Sequence, residues 1–332
     1  MMYRFYASLM LTCIALGASA EKREVQIRKA DYMRELKVEG EAGTRLIGSV
    51  ELMHNNTRML CDSAYMHPNN RFEAFGHVVV NKDTLWLFGD YMDYEGNTDM
   101  GKVRGNLVTL LDGKTRLRTQ FLDFNTATNV AYFTQGGTIN NGQNLLESER
   151  GRYLSNEKFA IFNTRVEMKN EQYNVKSDSL TYHMEQDVAT FFKQSYVWNK
   201  DVFISFRHGF YSKNDDHFFV ADNAYMMSEK QEGWSDSAHY YRAQKESEMF
   251  DNVQLYDSSQ HAITLGDYAK LYEERGLTYI TREPVAALFS DNPKDDTMFI
   301  KADTLMAYRV IKNDTVISQP KPPLPADTAI DS

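Results

Sequence analysis

The stretch Val175–Tyr182 reads Val-Lys-Ser-Asp-Ser-Leu-Thr-Tyr, with apolar or small residues first at Val175 and Ser177, then at Leu180 and Tyr182. Apolar residues at every second place predict a strand with one buried face. The parity slips by one at Ser177–Asp178. Such a slip would turn every later side chain to the opposite face unless a bulge or sharp bend absorbs it. The same slip separates Leu117 and Thr119 from Leu122 and Phe124, and Leu146 and Ser148 from Gly151 and Tyr153. Each of these strands is therefore expected to bend near its middle and pass from one sheet to another.

The frame recurs. Its fourth position is held by Asp31, Asp62, Asp90, Gln120, Glu149, Asp178, Arg207, Asp236, Asp267 and Asp303, with gaps between 28 and 36 residues. Asp62, Asp90, Glu149, Asp178, Asp236, Asp267 and Asp303 are the expected bend residues, their carboxylates accepting backbone N–H groups freed there. A second element alternates with the first, as in Phe72–Val80, Val103–Leu110, Phe159–Met168 and Met249–Leu255. Gly76, Gly105 and Gly137 fall where its matching bend belongs, and glycine tolerates such backbone best. Turn clusters such as His67–Asn70, Asn81–Asp83, Glu95–Thr98 and Ser212–Asp216 separate the strands. The pattern predicts an all-β protein, an antiparallel bent-strand solenoid with two facing sheets, in about ten repeats of about 29 residues.

Residues 1–20 read as a secretory signal, with Arg4, an apolar stretch from Phe5 to Ala15, and Ala18-Ser19-Ala20 before Glu21. That stretch is short for a membrane span. The solenoid is expected over 21–317, with an enlarged turn loop at Ser290–Asp296, and 318–332 as a disordered proline-rich tail. Cys13 lies in the signal, so Cys61 is left without an intramolecular disulfide partner, at the small position of its repeat.

Chemistry is sparse. There is no glycine-rich phosphate loop, His-Glu-x-x-His or Gly-x-Ser-x-Gly, and the eight histidines lack ligand spacing. No metal, cofactor or catalytic group is expected; Asp291, Asp295 and Asp296 read as a solvated acidic loop rather than a calcium site. A net charge of −9 argues against nucleic acid as a partner. The surplus is apolar. The inward residues Val50, Leu52, Val78, Val80, Leu87, Met92, Leu117, Leu122, Phe124, Leu146, Val166, Met168, Val175 and Leu180 either pack as a dry core or line a groove fit for an acyl chain. A phosphorylated lipid would also need cations near the groove mouth, for which Lys102, Arg104, Lys114, Arg116 and Arg118 are candidates.

The pairing of Gly76-His-Val78 with Gly89-Asp90-Tyr-Met92-Asp-Tyr94 resembles the OstA-like family, which includes LptA and the N-terminal region of LptD. Asn163–Val166 with Ser177–Tyr182, and Asn252-Val253 with Gly266–Ala269, extend the likeness across about Ala30 to Ala307. The resemblance implies an open β-jellyroll in the periplasm whose interior holds the lipid A acyl chains of lipopolysaccharide. It further implies modules joined end to end, with copies of itself or other Lpt-type proteins, by pairing of exposed end strands. The chain departs from the family in its number of repeats and in lacking the C-terminal barrel of LptD. A structural or adhesive closed solenoid and a polysaccharide-acting β-helix enzyme are the alternative readings.

Overall fold

The computed structural model describes residues 24–38, 41–290 and 296–308. The expected signal (1–20), the tail (318–332) and residues 291–295 of the expected turn loop lie outside them. The described chain forms 26 strands and one short 3-10 turn at Pro68–Asn70, and its strand pairings are antiparallel. Among the described residues no helix is long and apolar enough to cross a membrane.

The chain divides into two compact units, 1–142 with 149–157, and 143–148 with 158–332. In the first, six long strands pair in sequence order: Glu41–His54, Thr57–Met66, Arg71–Lys82, Leu85–Glu95, Met100–Asp112 and Thr115–Asn125. Short strands finish it, Gln26–Lys29 and Tyr32–Val38 on Glu41–His54, and Val130–Phe133 and Gly137–Asn140 on Thr115–Asn125. The second unit has Phe159–Lys169, Asn174–His183, His217–Ser228, Gln231–Tyr241, Glu246–Asp257 and Ala262–Tyr272 as its long strands, with the short strands Val188–Phe191, Ser195–Trp198, Val202–Phe206 and His208–Ser212 between the second and third of them.

Each long strand changes sheet at a bulge. Two residues in the left-handed region face one acidic residue of the next strand: Gly48–Ser49 face Asp62, and Gly76–His77 face Asp90. Thr164–Arg165 likewise face Asp178, Asp222–Asn223 face Asp236, and Asp251–Asn252 face Asp267. The two-against-one count restores the inward parity lost at the slip. The left-handed backbone thus sits on the strand paired with the acidic residue. The acidic side chain reaches onward to the following bulge: Asp90 Oδ2 accepts the Asn106 backbone N–H at 3.0 Å, Asp62 Oδ2 lies 2.8 Å from His77 Nδ1, and Asp236 Oδ2 accepts Asn252 Nδ2 at 2.9 Å. Asp303 stands exposed between the strands Met298–Lys301 and Thr304–Tyr308.

Within each unit the strand halves on either side of the bulges form two walls that face each other. The front wall of the first unit contributes Phe72, Met92, Tyr94, Val103, Leu122 and Phe124 to the interior; the back wall contributes Val50, Leu52, Val78, Val80, Leu87 and Leu117.

Candidate functional site

The fourteen apolar residues singled out from the sequence all point inward, and none is more than 1% exposed. In the first unit they fill the space between the two walls, and on the front wall Phe72 and Tyr94 add a tilted ring pair at 5.2 Å. Leu146, Val166, Met168, Val175 and Leu180 do the same in the second unit. Lys102, Arg104, Lys114, Arg116 and Arg118 do not face this interior. Arg104 is held by Asp123 at 2.7 Å and by the Val103 and Leu122 carbonyls, and Lys102 stands between Asp93 and Asp123 on the outer face.

A second set of residues went unassigned in the sequence reading. The aromatic that closes the eight-residue frame, two places after the last inward aliphatic, is a buried tyrosine at Tyr94, Tyr153 and Tyr182. Each phenol leaves the front wall at the rim opposite the bulges and bonds to the back-wall side. Tyr94 Oη lies 2.7 Å from His54 Nδ1 and 2.9 Å from Thr126 Oγ1. Tyr153 donates to Asp112 Oδ2 at 2.7 Å, and Ser155 shares that oxygen at 2.5 Å. Tyr182 accepts from Asn144 Nδ2 at 2.7 Å and donates to Asp187. Burial pushes the Tyr94 and Tyr153 phenols well above the ordinary value, and the neighbouring Asp112 carboxylate adds to the effect at Tyr153. A buried phenol needs a polar partner, so the signal was available: an aromatic with a hydroxyl, repeated at one phase. Further along, Tyr211 packs edge-on against Tyr173 at 5.5 Å.

The seal weakens toward the C-terminal end of the second unit. At Tyr240, in the register of Tyr94 and Tyr182, the phenol is only half-buried and lies near the Glu273 carboxylate. A cavity of about 20 Å³, lined by Ile204, Phe218, Val220, Met226 and Met249 among others, opens between the walls there. That volume holds roughly one water molecule, far below the ~300 Å³ of a small-molecule site. Beyond the buried Val253 the inward back-wall positions lose cover, with the half-exposed Thr264 and Ala286 in one row; the row ends on Ile300, which is 38% exposed.

Nothing in this arrangement gathers reactive groups. Among the described residues no three His, Cys, Asp or Glu side chains are placed to hold a metal ion. Cys61 is buried beside the bend, and burial pushes its thiol up to about 11, away from the thiolate form a nucleophile requires.

Residues 22–178 match the family described as OstA-like protein. Among solved structures, LptH of Pseudomonas aeruginosa, described as the LptA-homologous periplasmic component of the conserved lipopolysaccharide transport device, aligns at 12% identity. The alignment covers 40% of this chain and 79% of that one, with a TM-score of 0.20. No curated protein matches the chain. Residues 22–178, which carry bulged strands and the first two tyrosine latches, are thus the part of the chain that is similar to the OstA-like family.

Proposed function

We propose that this protein is a periplasmic lipopolysaccharide-binding carrier or bridge segment that performs no covalent chemistry. It would be exported by residues 1–20 and span 21–317 as one solenoid. The family supplies the ligand class. The observation that carries the reading is the apolar interior of the second unit, whose cover thins from fully sealed, at Val166 and Leu180, to half-exposed at Ala286 and Ile300. Acyl chains would enter at this C-terminal mouth, displacing water from apolar surface at about 25 cal/mol per Å² buried. Passage into the sealed rungs would require the walls to part and the tyrosine latches to exchange partners.

End strands support the bridging half of the proposal. Tyr32 and Met33 at the N-terminal end, and Met298 and Phe299 at the C-terminal end, are large apolar residues at least 55% exposed on short strands. Apolar side chains on an unpaired edge favour strand addition by another module, either a second copy or an Lpt-type partner.

The complete burial of the fourteen interior residues favours a second reading, a structural solenoid with a closed core. Photo-crosslinking amino acids placed at Ala286, Ile300, Val78, Leu122 and Val166 in cells separate the two. The transport reading expects lipopolysaccharide adducts at Ala286 and Ile300 first, and at the inner sites if lipid travels the length of the interior. Absence of adducts at all five sites, in variants that accumulate normally, establishes the closed core and removes the transport reading.

A further inference from the structure

In the second unit the outer face of the back wall is covered with rings. Tyr196 and Trp198 come from Ser195–Trp198, Phe203 from Val202–Phe206, Tyr225 from His217–Ser228 and Trp234 from Gln231–Tyr241. Registered pairings set them side by side on four adjacent strands: Trp198 opposite Phe203, and Tyr225 opposite Trp234. Tyr196 and Phe203 stack at 6.0 Å, Phe203 and Tyr225 meet at 6.3 Å, and Tyr225 and Trp234 at 5.1 Å. These rings are on the solvent side of the sheet; Tyr196 is 40% and Trp234 38% exposed. Met227 extends the surface, and Glu232 borders it, accepting the Tyr225 hydroxyl at 2.9 Å. The same wall of the first unit is mixed, carrying Arg58, Asn81, Arg116 and Arg118 on its outer side around a stacked Trp86–Phe88 pair.

A run of exposed rings at 5–6 Å intervals is the surface that receives a polyproline segment: the extended helix has no internal hydrogen bonds to satisfy, and its pyrrolidine rings pack on aromatic faces. This chain contains one such segment, Gln319-Pro-Lys-Pro-Pro-Leu-Pro325, beyond its last described strand. From Tyr308, where that strand ends, twelve residues lead to Pro320 and reach about 40 Å when extended. Six strand spacings, about 29 Å, and the ~10 Å between facing sheets separate that strand from Val202–Phe206. The segment can therefore reach the rings of its own chain. Lys321 supplies a positive charge to Glu232, and the tether holds the segment at a local concentration on the order of millimolar, so a weak contact suffices.

We propose that the aromatic outer face formed by Tyr196, Trp198, Phe203, Tyr225 and Trp234 is the docking site of the chain's own segment 319–325. The test uses the full chain carrying Trp86→Phe, which leaves Trp198 and Trp234, both on this face, as the fluorophores. Acrylamide quenching is compared with and without Pro320→Ser, Pro322→Ser, Pro323→Ser and Pro325→Ser, substitutions outside the described strands. The quenching constant should rise roughly two-fold when the prolines are lost, as about half of each exposed ring face is uncovered. The difference should persist on dilution, and an excess of free peptide 317–326 should restore protection to the substituted chain. Equal quenching in the two proteins overturns the proposal. So does protection that appears only at high protein concentration, which assigns the face to a second copy, or only with phosphatidylethanolamine vesicles, which assigns it to a lipid surface.

Discussion

Tyr153→Phe isolates one latch between the walls. The substitution keeps the ring, which is fully buried, and deletes only the hydroxyl that donates to Asp112 Oδ2 at 2.7 Å. Asp112 is itself 3% exposed, so water does not replace the lost donor. A hydrogen bond to a charged group contributes about 1.5–3 kcal/mol, and orphaning a buried acceptor costs a similar amount. Ser155 Oγ still donates to the same oxygen at 2.5 Å, which places the expected loss near 2 kcal/mol rather than at the top of that range. For a unit of 150–250 residues that is a fall in Tm of about 4–8 °C. Urea unfolding followed by fluorescence in a Trp198→Phe, Trp234→Phe background, which leaves Trp86 of the same unit as the fluorophore, reads the loss where it occurs. A double-mutant cycle with Asp112→Asn then separates the pair from its surroundings. A loss below about 0.5 kcal/mol, or no coupling in the cycle, would refute the view that the tyrosines hold the walls together.

Two further outcomes follow from the bulges and the histidines. Gly76 has φ +75°, and a Cβ there would come within 2.3 Å of Asp62 Oδ2, so Gly76→Ala should cost about 2 kcal/mol or more in thermal unfolding. Gly113→Ala, at φ +59° with nothing within 4 Å, should cost only the ~1 kcal/mol of backbone strain; equal losses would refute the bulge account. His239, stacked on His217 at 5.1 Å, has its pKa lowered by burial and by His217. Its folded form binds fewer protons than the unfolded chain, so the contribution is present above the unfolded value of about 6.5 and is lost as pH falls through it toward the lowered folded value. Urea midpoints taken between about pH 7.5 and 5 should therefore drop more in the parent than in His239→Asn; parallel slopes would remove the histidine from the account.

Much of this fold is readable along the chain because alternation and its interruptions are local facts. The parity slip at Ser177–Asp178 requires a bulge, since a strand cannot otherwise keep both halves facing one interior. The fourteen inward residues follow from the same parity. Which strand carries the distortion is not local: Gly48–Ser49 and Thr164–Arg165 adopt left-handed backbone because the acidic residue opposite them needs a two-for-one match, and only pairing reveals the match. The latches were half-legible, for the recurring aromatic is visible, but His54, Asp112 and Asn144 lie about 40 residues away from the tyrosines they meet. Alternation also cannot say whether two apolar walls touch, because that depends on their separation. Tertiary structure decides it, sealing the rungs around Val78 and Leu122 while leaving Ala286 and Ile300 half-exposed. The ringed outer face emerged the same way, since strands that are distant in sequence had to be placed side by side before their solvent-facing residues formed a surface.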